Sequence, residues 1–193
     1  AYVTGTTTST TFPIQNAYDN AHNGGTDAFV LRLAAAGNSL EYSTFLGTAG
    51  TDEAYSIAVD SAFSAYVTGR TNNSTFPTLN PYQAARSGGY DAFVTKFSAP
   101  GNTLVYSTYL GGASDEESRS ITVDTSGSTY IFGNTTSNNF PTFLPYQAAR
   151  SGAGDLFITK LAAAGNSLVF STYLGGTGND YARGIGIDST NSV

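Results

Sequence analysis

One 22-residue pattern is written three times in this chain, and the spacing between copies constrains the fold more than any other feature. DAFVLRLAAAGNSLEYSTFLGT starts at Asp27, DAFVTKFSAPGNTLVYSTYLGG at Asp91 and DLFITKLAAAGNSLVFSTYLGG at Asp155, a period of 64 in both intervals. Each copy is an alternating apolar segment, a Gly-Asn turn and a second alternating segment, the signature of a β-hairpin. A fixed period of this length predicts stacked or ring-arranged units.

The rest of each unit fills in around the hairpin. Residues 1–7, AYVTGTT, read as a strand ending near Gly5. Ala54 to Asp60, AYSIAVD, reads as another, followed by a short turn into the next AYVTG. The longest connection, 8–26, recurs as FPTLNPYQAARSGGY (76–90) and FPTFLPYQAARSGAG (140–154). In the second copy Asn80 as cap, Pro81 at the first position and the Gly88-Gly89 stop predict a short helix. The unit thus holds four short antiparallel strands. Repeats are expected at 1–64, 65–128 and 129–193, as one continuous repeat domain read as a piece of something longer.

Four-stranded antiparallel units in tandem predict an all-β array of β-propeller blades. AYVTG, the loop FP, DAFVTK, YSTYLGG and I-x-VD together resemble the SBBP family of β-propeller repeats, found mostly in bacterial secreted and surface proteins. TYIFG at 129–133 departs conservatively from AYVTG. The resemblance implies the propeller fold and an extracellular or cell-surface setting, and it carries no common catalytic residues. In that frame I-x-VD is the innermost strand and YSTYLGG the outermost. The chain then starts at a second strand and ends on an innermost one, Arg183 to Asp188. That last strand is expected to complete the first blade or a neighbour's, by a twofold six-bladed ring or within a longer array. Self-association through terminal blade edges follows from the same offset.

Composition narrows the function classes. Charged residues are 11 %, and net charge is −6 with only eight Lys and Arg. A nucleic-acid partner is disfavoured, because such binding rests on basic contacts. No apolar run spans a membrane, so no insertion is expected. Cysteine is absent, which removes disulfides and thiolate metal sites. No cofactor and no metal site is expected, since no DxDxDG-type loop accompanies the acids.

Acids recur at three positions: Asp27, Asp91 and Asp155; Asp60, Asp124 and Asp188; and Asp52, Glu116 and Asp180. The first two sets read as strand-end residues that shape turns. The third set would share a face with the long FP loops, and Tyr55, Arg119 and Arg183 follow three residues on. Asp52, Glu116, Asp180, Tyr55, Arg119 and Arg183 are therefore the candidate ligand-binding residues, with carbohydrate as the candidate ligand. Pairing of these acids with Arg119 and Arg183 is the simpler alternative. Asn72, Asn73 and Asn134 stand in N-x-[ST] sequons and are candidate glycosylation sites. His22, the only histidine, has no nucleophile elbow to serve. The aromatic series Phe29, Phe93, Phe157 and Phe45, Tyr109, Tyr173 reads as filling between strands. No catalytic residue is assigned. The expectation is a non-enzymatic extracellular module, structural or adhesive. A multivalent lectin-like module and a filament subunit are the alternatives, and a polysaccharide-cleaving enzyme ranks last.

Overall fold

In a computed structural model, residues 1–188 and 190 are described, and they are all-β with no helix. Eleven strands form three antiparallel sheets. The first sheet holds β1 (Tyr2–Thr7), β2 (Asp27–Leu33) and β3 (Leu40–Leu46). The second holds β4 (Asp52–Val59), β5 (Ala65–Thr71), β6 (Asp91–Phe97) and β7 (Leu104–Leu110). The third holds β8 (Glu116–Val123), β9 (Thr129–Thr135), β10 (Asp155–Leu161) and β11 (Leu168–Leu174). Strands neighbouring in sequence are neighbours in each sheet, so the order is the sequential one read from the repeat.

The joints between sheets are copies of one another. Ala28, Val30, Tyr42 and Leu46 of the first sheet pack on Val67, Phe76, Phe93, Phe97 and Tyr109 of the second repeat. Sixty-four residues on, Ala92, Val94, Tyr106 and Leu110 pack on Ile131, Phe140, Phe157, Leu161 and Tyr173. Both aromatic series thus include core residues, with Phe93, Phe157, Phe45, Tyr109 and Tyr173 buried. The hairpin turns seal the joints. Gly101, at φ 78°, lies so close to the Tyr42 ring that a Cβ would collide with it, and Gly165, at φ 73°, stands likewise against Tyr106. Glycine is required there twice over, for the left-handed turn and for the close approach.

Each inner strand carries a bulge, between Ala54 and Ser56 in β4 and between Ser118 and Ser120 in β8. The extra residues are Tyr55 and Arg119. Gly69 and Gly133, the last letter of AYVTG and its copy, face these kinks, and a Cβ on either would strike the carbonyl of Glu53 or Glu117. The motif glycine therefore makes room for the bulge.

Two expectations are corrected. The stretch around Asn80 and Pro81 is not helical. Leu79 and Gln83 bridge to Ser107 and Tyr109 of β7, and Asn80 takes φ 47° between them. Backbone committed to a neighbouring strand is not available to close a helical turn. The same bridges recur at Gln15 and Asp19 on β3 and at Phe143 and Gln147 on β11, so every outer edge wears a strap. The second correction concerns residues 183–188, which form no strand and do not complete the first sheet, still three-stranded. A strand needs a ladder partner, and none of the described residues offers one at that place. Ser189 and 191–193, included in the expected third repeat, lie outside the described residues.

Candidate functional site

The long loops and the connections into the inner strands do lie on one face. Thr26 bridges Thr51, and Gly154 bridges Asn179. The N–H groups of Asp52, Glu116 and Asp180 donate to the carbonyls of Thr26, Tyr90 and Gly154.

On that face the six candidate residues separate into two roles. Asp52 and Glu116 are buried and clamp turns. Thr48 N–H donates to Asp52 at 2.9 Å; Gly112 N–H and the Thr135 hydroxyl donate to Glu116 at 2.7 and 2.6 Å. Burial pushes the Asp52 carboxyl up to about 6, against hydrogen bonds from Thr71 and Thr48, and the nearby Asp27 charge adds to the rise. Burial likewise raises Glu116. Asp180 is half-exposed and accepts Gly176 N–H at 2.9 Å. Arg183 is exposed in the segment after it.

The bulged pair, Tyr55 and Arg119, instead joins a belt of charge across the inner strands. Arg70 Nε donates to Glu53 at 2.6 Å, and its Nη1 lies 3.3 Å from Glu117. Arg119 holds the other Glu117 oxygen at 2.5 Å and lies over the Tyr55 ring, 4.6 Å from its centre. The Tyr55 hydroxyl donates to Glu53 at 2.7 Å. Burial works to raise Glu53, but the hydrogen bonds from Tyr55 and Arg70 and the charges of Arg70 and Arg119 hold it below its ordinary value. Arg119 therefore pairs with Glu117 rather than with the acid of the candidate set. Glu53, Arg70, Glu117 and Tyr90 belong to this face and were not among the candidates. The register pairing Glu53 with Arg70 across β4 and β5 was the signal that could have found them.

The other singled-out residues have structural work. Asp60 and Asp124 each accept two backbone N–H groups in the turn that follows, and Lys96 and Lys160 lie 3.5 and 3.0 Å from them. Asp27 accepts the N–H of Asn23, Asp91 those of Ser87 and Gly88, and Asp155 those of Ser151 and Gly152. His22 sits edge-on to Phe45, 5.7 Å between ring centres. The side-chain nitrogens of all three sequon asparagines are hydrogen-bonded within the chain, Asn72 to Tyr90, Asn73 to Thr48 and Ala49, and Asn134 to Asp180. Among the described residues no group of three His, Asp or Glu side chains gathers as a metal site.

Beside the belt, a cleft of about 330 Å³ opens between the second and third sheets, walled by Arg70 and Tyr90 and floored by Asn134 and Gly154.

Comparison with known families gives a name to the repeat. Residues 41–77 and 105–141 match the family described as SBBP, a beta-propeller repeat. Each match runs from an outermost strand through the inner and second strands to the loop FP. These two stretches match the repeat family that the motifs resemble. No curated protein matches the chain.

Proposed function

We propose that this chain is a non-enzymatic β-propeller module of an extracellular or cell-surface protein, whose role is assembly, structural or adhesive. One observation carries the reading: the outward face of the third sheet repeats residues that are covered elsewhere. Leu46 and Leu110 are fully buried, whereas Leu174 is 39 % exposed. Tyr82 packs into the core of its joint, whereas Tyr146 is 88 % exposed. A face built to this pattern fits one occupant, the opposite face of a first sheet, where Val3 is 38 % exposed and its copy Val67 fully buried.

Residues 182–188 support the same reading. Ile185 N–H donates to Ser120 Oγ at 3.2 Å, as Ile121 N–H donates to Ser56 Oγ at 3.3 Å. The segment lies where an inner strand lies in the preceding joint. The first sheet of a second copy is three-stranded and has β1 at its free edge. Two copies exchanging these elements make a six-bladed ring, within the usual range of four to eight. A contact of the same kind that fails to close makes a filament.

Light scattering on a size-exclusion column tests it. A mass near twice 20.0 kDa is expected, reverting to one chain with Leu174→Asp. A cooperatively folded monomer at all concentrations overturns the ring, and a large, heterogeneous mass replaces it with the filament.

A further inference from the structure

Because the period is 64 throughout, the joints can be compared position by position, and one position breaks the pattern on the loop-bearing face. The residue just before the third strand of each repeat is Thr26, Tyr90 or Gly154. In the second sheet the Tyr90 ring stacks on Arg70, whose guanidinium carbon is 4.4 Å from the ring centre. The matching pair in the third sheet is Gly154 and Asn134. The ring that occupies this place in the second sheet is missing in the third, and the 330 Å³ cleft stands there. That size is at the lower end of small-ligand sites.

The polar groups around the cleft are unevenly used. Three of its donors are engaged within the chain: Asn134 Nδ2 on the Asp180 carbonyl, Thr135 Oγ1 on Glu116, and Thr136 Oγ1 on the Asp115 carbonyl; Asn179 adds a further amide to the lining. Arg70 is held by Glu53 and Glu117. Acceptors remain. Asp115 gives one oxygen to Tyr90 N–H and Asp180 one to Gly176 N–H, which leaves the second oxygen of each for a ligand. Tyr90 and the exposed Tyr181 add aromatic surface.

A cavity that offers carboxylate oxygens and tyrosine rings suits a ligand that donates and is positive. We propose that this cleft binds an organic cation, an ammonium or guanidinium group such as a Lys or Arg side chain of a partner. A neutral sugar gains nothing from the excess of carboxylates over cations on the lining. The site lies between the second and third repeats, and every residue lining it belongs to one chain.

The test is an NMR titration of the intact chain with N-acetyl-arginine amide, N-acetyl-lysine amide and methyl glucoside, at low and high ionic strength. The cations are expected to perturb Tyr90, Asn134 and Gly154, more weakly at high salt. Tyr90→Ala weakens this about fivefold, the loss of one aromatic contact to a cation. Gly154→Tyr refills the cleft and removes the perturbation. A Cβ at Gly154 meets nothing nearer than 3.5 Å, so this variant is expected to keep the parent's melting curve. Cation binding that survives Gly154→Tyr, or no localised perturbation in the parent, overturns the proposal. Binding of the glucoside in place of the cations overturns the ligand class.

Discussion

The second and third sheets are written in nearly the same letters and live in different surroundings. Tyr106 is fully buried beneath the Gly165 turn, while Phe170, at the same position one repeat on, is half-buried. Nothing in the strand itself accounts for this. Burial in a repeat array is conferred by the next unit, so stability resembles a sum of units and of the joints between them. Among the described residues the third sheet has the unit and only one of its joints.

The sharpest way to break this comparison is to truncate the matched aromatics. Tyr106→Ala is expected to cost about 3–5 kcal/mol and Phe170→Ala on the order of 1 kcal/mol, by denaturant unfolding of dilute protein. Equal losses would mean the joint adds nothing. A gap that narrows as concentration rises would mean a second copy has covered Phe170.

Charge gives a middle-sized effect. Asp52 is buried at the covered joint, with its carboxyl raised to about 6. An unfolded aspartate titrates near 3.9, so the native state holds the proton more tightly. This group's stabilisation is therefore complete below about pH 4 and is lost as pH rises through about 6, about 3 kcal/mol in all. Asp124 works in the opposite direction. Burial works against its charge, but hydrogen bonds from Ser126 and Ser128 and the Lys160 charge hold it at about 2, so its contribution disappears only in acid. The difference between parent and Asp52→Asn isolates the first group. Melting curves should show the variant gaining on the parent between pH 4 and 7. A gain that does not vary with pH would show that the joint does not desolvate the carboxylate.

The smallest effect lies in the straps. Asn16, Asn80 and Leu144 hold the same left-handed turn, at φ 46°, 47° and 47°. Asparagine tolerates that conformation and leucine does not, and Leu144 is 76 % exposed, so it gains little from its side chain. Leu144→Asn is expected to stabilise by about 1 kcal/mol in the same unfolding assay.

Much of the fold was legible because period and alternation are properties of the chain alone. The hairpin strand Asp27–Leu33 stands where its letters placed it. β4 begins at Asp52, two residues before the AYSIAVD pattern, because Asp52 and Glu53 pair with Thr71 and Arg70. The Asn80 loop misled because its capping signals are real locally, yet its backbone is claimed by β7. The face of the candidate site could be read from connectivity, since two connections must share an end of the sheets. Roles within it could not. Asp52 and Glu116 point inward and Glu53 and Glu117 into the belt, a choice made by strand pleat and by bulges that residue types do not announce. The cleft was hardest to foresee, because it depends on a side chain that Gly154 does not have.

The straps carry one further consequence. Each blade's rim is already bonded to its own loop, so a stranger's strand finds no free ladder there. The outer edges are closed in this way, while β1 stays a free edge of the first sheet. Copies brought to high concentration find the outer edges already occupied, and a duplicated repeat would bring its own strap to cover the edge it adds.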